Sequence, residues 1–529
     1  MKLSDSDLQQ LDEARVLRMQ PEHKDKLLVT LISDLKEARE RLNANSQNSS
    51  RPPRTDPPWS NANDAPVNNA PANNATPAAK APPESKGTTP KSTEAAAPDT
   101  GTVIAPIEAP LKRKVGHQVG EEGHGRHLTL PVSFIHTHSP SHCVLCGDAL
   151  NTAHFRATGG HYVLDIDITA HEGLAGIRVK HEKHLYGEIV CACGHKNDSQ
   201  PGSCPDDPLW VNLSMNERGL VGPVLASLIV CLAKRMRLSR FRIQEYLHDW
   251  LRIDLSTSTI NRCIHEAGRA VEPLEEEMVK ELKTAALLYA DETPWKEWGQ
   301  LLWLWVIISP SICLYLIGDR SKELLANIFG DQIDAWLMSD GYKVYRKYQK
   351  RLRCWAHIIR KAKGLEEAFD PEVRMFGNQA NQLLERLMQA IYQARESPPT
   401  TCLTVTFADD LAAFKQRCEE HRDSRHDKTK ALARELLNDW ESFWIVLKHP
   451  HLPLTNNEAE RALRHWVIAR LITQGTRTSQ GTRAFGLLAS VIETCRKRNI
   501  LPWPYLALVI AERRKGNPAP SLPPMALAV

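Results

Sequence analysis

Between residues 286 and 340 the chain lays out apolar runs in an order that few folds accommodate. ALLYAD (286–291) is a short apolar strand candidate whose last residue is Asp291. LLWLWVIIS (301–309) and ICLYLIGD (312–319) read as two more strands, joined by a short turn at Pro310. SKELLANIFG (321–330) has helical spacing with Ser321 placed to cap it. IDAWLMSD (333–340) closes the series as a fourth strand ending in Asp340. Short turns join antiparallel neighbours, whereas a helix between two strands marks a parallel crossover. The order strand, strand, strand, helix, strand therefore predicts a mixed sheet that brings the two aspartates side by side.

That order is the opening of a ribonuclease H-like fold. Residues 366–445 then read as a polar, helix-rich insertion, and the last core element starts at TNNEAERALRHWVIAR. In this stretch Ala459, Ala462, Leu463, Trp466 and Val467 form an apolar face at helical spacing. Glu458 and Glu460 each lie one residue from Ala459, about 100° to either side of it, so periodicity does not choose between them. Carboxylates converging from separate elements suit hard cations such as Mg²⁺ or Mn²⁺. Two such ions about 3.5–4 Å apart activate an attacking oxygen and stabilise a leaving one. Glu292 follows Asp291 directly, and strand alternation is expected to turn it to the opposite face.

Several stretches in this order resemble the large transposase of the insertion sequence 66 family: ADETPW (290–295), SDGYKVY (339–345), CWAHIIRKA (354–362) and LPLTNNEAERALRHWVIAR (452–470). ASVIETCRKRNILPWPYL (489–506) continues the match, and NSQNSSRPP (45–53) resembles the segment after that family's leading helix. The resemblance implies DNA cleavage and strand transfer by an aspartate–aspartate–glutamate triad. It favours the glutamate of the AER triplet, giving Asp291, Asp340 and Glu460 as catalytic residues expected to bind two Mg²⁺ or Mn²⁺ ions. It also implies a homo-oligomer on double-stranded DNA and small accessory proteins encoded alongside.

Cys143-Val-Leu-Cys146 and Cys191-Ala-Cys193-Gly are paired cysteines of the kind that hold structural Zn²⁺. The family usually carries C-x-x-C in the second half, whereas this chain has C-x-C, after a long intervening stretch. Cys204, His195 or His142 therefore stand as alternatives for the fourth ligand.

Net charge is only +4, but the basic residues are clustered. Residues 341–363 hold nine Lys or Arg and no acid, and 461–515 hold eleven against Glu493 and Glu512. Such patches in a near-neutral chain fit a phosphate-backbone footprint. Lys343, Arg346, Lys347, His357, Arg461, Arg464, Arg496, Lys497 and Arg498 are the expected DNA contacts. Trp355 and His357 sit in the first patch, where stacking on a DNA end and a plain helix start are both open readings. Asn456 and Asn457 are read as caps of the glutamate helix.

At roughly 100–200 residues per domain, the 529 residues suggest several units. Residues 1–48 read as a helix with two leucine heptads (Leu28, Leu35, Leu42), a possible short coiled coil. Residues 49–118 hold thirteen of the 34 prolines and are expected to be a disordered linker. A β-rich, zinc-finger-like module (119–206) and a helix-turn-helix-like region with Ser256 as cap (207–284) follow. The core is expected at 285–365 and 450–515 around the insertion (366–449), with a tail at 516–529. The polar opening MKLSDSDLQQ carries no signal peptide, and the longest apolar run is too short for a bilayer, which needs about 20 residues. A cytoplasmic, nucleoid-associated protein with no membrane partner is expected. Two rivals stay open: a zinc-containing DNA-binding regulator or inactive remnant, and a nuclease that hydrolyses without joining.

Overall fold

The leading leucine spacing becomes helix α1 (Pro21–Asn43), with Leu28 and Leu35 of its seam exposed. The computed structural model of the chain describes residues 16, 18–43, 131–169, 176–330 and 333–525. The linker expected at 49–118 lies outside them.

The β-rich stretch forms β1 (Phe134–His138), β2 (Arg156–Asp167), β3 (Arg178–Val190) and β4 (Lys196–Asp198). β3 pairs in parallel with β1 and antiparallel with β2, and β4 pairs with its last residues. One buried acid ties this sheet to the helices. Asp165 of β2 accepts the backbone N–H of Leu225 (2.7 Å) in the first turn of α2 (Pro223–Lys234). It caps that helix from outside, because the residue in the cap position is Gly222. A Cβ on Gly222 would stand 2.2 Å from the Asp165 Cγ, so the arrangement requires glycine.

α3 (Arg240–Leu251) and α4 (Thr257–Val271) are the two helices expected around residue 252, and the Ser256 hydroxyl does cap α4 by accepting from Thr259 N (3.1 Å). α5 (Leu274–Thr284) leads into the central sheet.

That sheet comprises β5 (Leu287–Glu297), β6 (Gln300–Ile308), β7 (Cys313–Gly318), β8 (Trp336–Ser339) and β9 (Arg351–Arg353), with α6 (Lys322–Phe329) between β7 and β8. The spatial order is β7-β6-β5-β8-β9, with the first three antiparallel and β8 and β9 parallel to β5. Contrary to the sequence reading, β5 does not stop at Asp291. It runs on to Glu297, paired with β6 as far as a two-residue turn of Trp298 and Gly299, both at positive φ. Such turns match the twist of a hairpin, and the hairpin is what extends the strand.

After β9 come α7 (Trp355–Glu366), α8 (Pro371–Glu396), α9 (Ala408–Glu420) and α10 (Asp427–Asn438), then α11 (Asn457–Thr473), α12 (Ser479–Lys497) and α13 (Pro502–Arg514). Helices α7 to α10 share one apolar core with Met338 and Leu352 of the sheet. α12 covers the edge strand β7, whose amides would otherwise lack partners: Ser490 Oγ accepts from Tyr315 N (2.8 Å) and Thr494 Oγ1 from Cys313 N (3.0 Å). The chain is thus mixed α/β. Among the described residues no helix is long and apolar enough to cross a membrane.

Candidate active site

Strand register places the two aspartates. β5 and β8 align Leu287 with Trp336, Leu288 with Leu337 and Tyr289 with Met338. Asp291 and Asp340 each follow that last pair by two residues and so reach the same level. One ligand oxygen from each of Asp291, Glu292 and Asp340 lies within 4.8 Å of the others. The turn after Asp340 is fixed from two sides. The Tyr342 amide donates to Asp340 Oδ1 (3.1 Å), and Arg353 Nη2 donates to the Asp340 backbone oxygen (3.0 Å). Gly341, at φ +114, makes room for that guanidinium, since a Cβ there would stand 2.0 Å from Arg353 Nη2.

The cluster is electrostatically costly. Burial pushes the Asp291 carboxyl well above the ordinary range, and the neighbouring Asp340, Glu292 and Glu460 charges push the same way. Glu292 is raised as well, first by burial and then by Asp340, against the pull of Arg320 and Tyr345. Its side chain, 1% exposed, accepts from Arg320 Nη2 (2.7 Å) and Tyr345 Oη (2.8 Å). The expectation that alternation turns Glu292 away from the aspartates is corrected. Alternation sets the Cβ direction, but glutamate is one methylene longer than aspartate, and its carboxylate reaches the end of β8.

The start of α11 is stitched to the same place. Asn456 is fully buried, and its side chain makes no cap hydrogen bond; its amide nitrogen donates to the backbone oxygen of Ala290 (2.9 Å), the residue before Asp291. Its backbone N–H meets Cys354 Sγ (3.2 Å), and Trp355 N donates to Leu454 O (2.8 Å). The two candidate glutamates of α11 are equally exposed, 39% for Glu458 and 38% for Glu460, so partners must separate them. Glu458 pairs with Arg461 and with Lys497 of α12 (3.4 Å). Glu460 stands 3.8 Å from His357 Nε2 and 3.6 Å from Arg360, and its ligand oxygen groups with Cys354 and His357. Its Oε1 is buried without a hydrogen-bond partner among the described residues.

The expected DNA contacts fall into four kinds. Lys343 and Arg464 are exposed. Arg346 reaches Asp439 (3.4 Å), Lys347 the Gly330 carbonyl (3.4 Å), Arg461 and Lys497 share Glu458, and Arg496 stands 3.8 Å from Glu493. His357 is half-buried beside Glu460, and burial lowers its pKa. Arg498 points inward: 4% exposed, it donates to Glu281 (2.6 Å), Pro523 O (2.7 Å) and Ser311 O (3.1 Å). Sequence reasoning passed over Arg320, Tyr345, Arg353 and Asp439. For Arg353 alternation gives no signal, since Arg351 and Arg353 share one face of the strand RLR and its partners Glu435 and Asp439 lie far along the chain.

The four named cysteines meet. Sγ of Cys143 is 3.7 Å from that of Cys193, and Sγ of Cys146 is 3.5 Å from that of Cys191. Each half is a tight turn closed by a glycine at positive φ, Gly147 and Gly194. The buried Asn197 of β4 accepts from Val144 N (2.9 Å) and so ties one half to the sheet. The Cys146 amide holds the Cys143 thiol down to about 6. Cys204 lies apart, in the main apolar core.

Comparison with known proteins follows the same blocks. Residues 218–484, half of the chain, match the description "Transposase IS66 family". Over 176 residues the chain is 28% identical to the uncharacterized protein y4jO of Sinorhizobium fredii (strain NBRC 101917 / NGR234), covering 33% of this chain and 51% of that protein. Over 304 residues it is 21% identical to y4qI of the same organism, covering 52% and 56%. The chain thus spans about half the length of these two relatives.

Proposed function

The chain belongs to the transposase IS66 family, and from that premise we propose that it cleaves and joins DNA at insertion-sequence ends through Asp291, Asp340 and Glu460, on a ribonuclease H-like core. The observation that carries the reading is the convergence of Asp291 and Asp340 at one level of two parallel strands, with α11 anchored to the residue before Asp291.

Buried carboxylates at this separation repel one another unless a cation lies among them. The donor set at the strand ends is all carboxylate oxygen, the choice of Mg²⁺ or Mn²⁺, and Glu460, whose Oε1 makes no hydrogen bond and only the looser ion pairs with His357 and Arg360, is the third carboxylate we assign to it. Bound there, such ions supply activation of the attacking oxygen and stabilisation of the leaving one. The chain's own residues do the positioning. The Tyr342 amide and Arg353 hold Asp340, Arg320 and Tyr345 hold Glu292, and Asn456 sets the height of Glu460 above β5. The reaction is in-line attack at a phosphodiester, by water for end cleavage and by the freed 3′ hydroxyl for strand transfer. Exposed Lys343 and Arg464 are the best placed of the cations to meet the phosphate backbone. Self-association on DNA through the exposed leucines of α1 and help from small accessory proteins complete the reading.

We also infer a structural Zn²⁺ on Cys143, Cys146, Cys191 and Cys193. Sulfurs held about 2.3 Å from a tetrahedral zinc lie about 3.8 Å apart, close to the 3.5 and 3.7 Å seen here. The Zn²⁺ that copurifies with the protein should fall by one equivalent per chain in Cys143→Ser or Cys191→Ser.

The function is tested with Asp291→Asn, Asp340→Asn and Glu460→Gln on DNA carrying the element's ends in Mg²⁺. Cleavage should disappear while end binding persists. Cleavage by both aspartate variants would overturn the site.

A further inference from the structure

Five rings share one face of the first sheet. Register puts His136 of β1, His184 of β3 and His161 of β2 in a single row across three strands. His138 and Tyr186 form the next row along, and the rings stack, with centroids 4.4–5.7 Å apart. At one side of the row Glu182 reaches both outer nitrogens: its Oε1 stands 3.6 Å from His136 Nε2 and its Oε2 3.8 Å from His184 Nε2. One ligand atom from each of these three lies within 4.8 Å of the others.

We propose that His136, Glu182 and His184 form a second metal site, separate from the cysteines, for a divalent transition ion of the zinc type. Two imidazoles and a carboxylate are a donor set for such ions. Nitrogen and oxygen ligands about 2.1 Å from a tetrahedral ion lie about 3.4 Å apart, so the 3.6 and 3.8 Å separations need only a small closure. The support around the ligands fits as well. His184 Nδ1 is 2.9 Å from His138 Nε2, a hydrogen bond that orients the ring and leaves Nε2 for the ion. Lys180 Nζ, 3.9 Å from Glu182 Oε1, is a cation the ion would compete with for the carboxylate. His136 is exposed, which gives the ion an open path and leaves room for a solvent ligand. Six residues of extended β3 lie between His184 and Cys191, seven steps or about 23 Å of chain, so the two metal sites are independent.

The test is Co²⁺ binding to the full-length protein with its zinc retained and excess Mg²⁺ present to fill the catalytic carboxylates, read after gel filtration and by visible absorption. Wild type should hold one equivalent with the weak bands of nitrogen and oxygen ligands and no thiolate charge transfer. His136→Ala, at an exposed edge position, and Glu182→Gln should each weaken binding at least tenfold with an unchanged circular-dichroism melt, and Asp291→Asn should leave it intact. Equal Co²⁺ binding by wild type and His136→Ala would overturn the site. So would an equivalent lost only in Asp291→Asn, which would place the ion among the catalytic carboxylates.

Discussion

Two clusters of buried charge sit at the ends of neighbouring strands, and they are built on opposite principles. At the end of β9, Arg353 is almost wholly enclosed and pairs with Asp439, with Glu435 (2.5 Å) and with the backbone oxygen of Asp340 (3.0 Å). Arg351 adds a second contact to Asp439 (3.1 Å). At the ends of β5 and β8, Asp291 and Asp340 crowd together with Glu292, and the cation nearby, Arg320, pairs with Glu292 rather than with the aspartates. The first cluster balances its charge and locks α10 onto the sheet. The second leaves acid in excess where the sheet opens. Nothing in protein folding rewards a buried excess of one sign, so such a site is the better candidate for chemistry.

The comparison breaks most sharply in activity. Asp291→Asn or Asp340→Asn should lower DNA cleavage by at least ~10³-fold, about 4 kcal/mol of barrier. Neither should lower the melting temperature, because each removes a repelled charge. A variant that unfolds instead would mean these aspartates serve the fold.

Arg353→Met should do the reverse. Removing one partner of a buried ionic set costs about 3–5 kcal/mol where it strands the others, and the lower end is expected here because Arg351 and Arg346 still face Asp439 and Lys361 still faces Glu435. The checkable quantity is the urea midpoint. If the variant keeps it and loses only cleavage, Arg353 belongs to the catalytic side of the comparison.

What the sequence made legible follows from range. The strands and helix between 286 and 340 announce themselves through runs of apolar residues, and the hydroxyl cap at Ser256 is a local device. Both were readable. The length of β5 was not, because its second half is polar and is held by β6. Nor was the fate of Arg353, whose partners Glu435 and Asp439 come from a helical segment some eighty residues away. The basic run 341–363 looked like one surface, yet β9 turns Arg353 inward while Lys343 stays out. Arg498 shows the same limit: its position in a basic run suggested DNA, and its buried bond to Glu281 depends on how α12 meets α5.

A smaller effect should appear with pH. An acid whose folded pKa is raised holds its proton more tightly in the folded chain than in the unfolded one. Stability from such a group is present at low pH and is lost as pH rises from the ordinary carboxylate range, near 4, through the raised folded value. Metal-free protein should therefore melt at progressively lower temperature over that window on account of Asp291, and the Asp291→Asn curve should be flatter. Identical pH profiles for the two proteins would remove the claim that Asp291 carries an uncompensated charge.

The smallest change expected is Glu458→Ala, and it sharpens the choice that periodicity left open. Glu458 and Glu460 flank the same buried Ala459 and are equally exposed, so what separates them is the company they keep. Glu458 meets the exposed Arg461 one turn along its own helix and the half-buried Lys497 of α12. Exposed pairs of this kind contribute about 0.2–1 kcal/mol. Glu460 faces His357 and Arg360 instead, and its charge is felt by Asp291. Glu458→Ala should therefore cleave DNA within about twofold of wild type and lose no more than about 1 kcal/mol of stability, while Glu460→Ala should be inactive. The reverse pattern, with Glu458→Ala inactive and Glu460→Ala active, would keep the helix and its anchor at Asn456 but move the third carboxylate to the other side of Ala459.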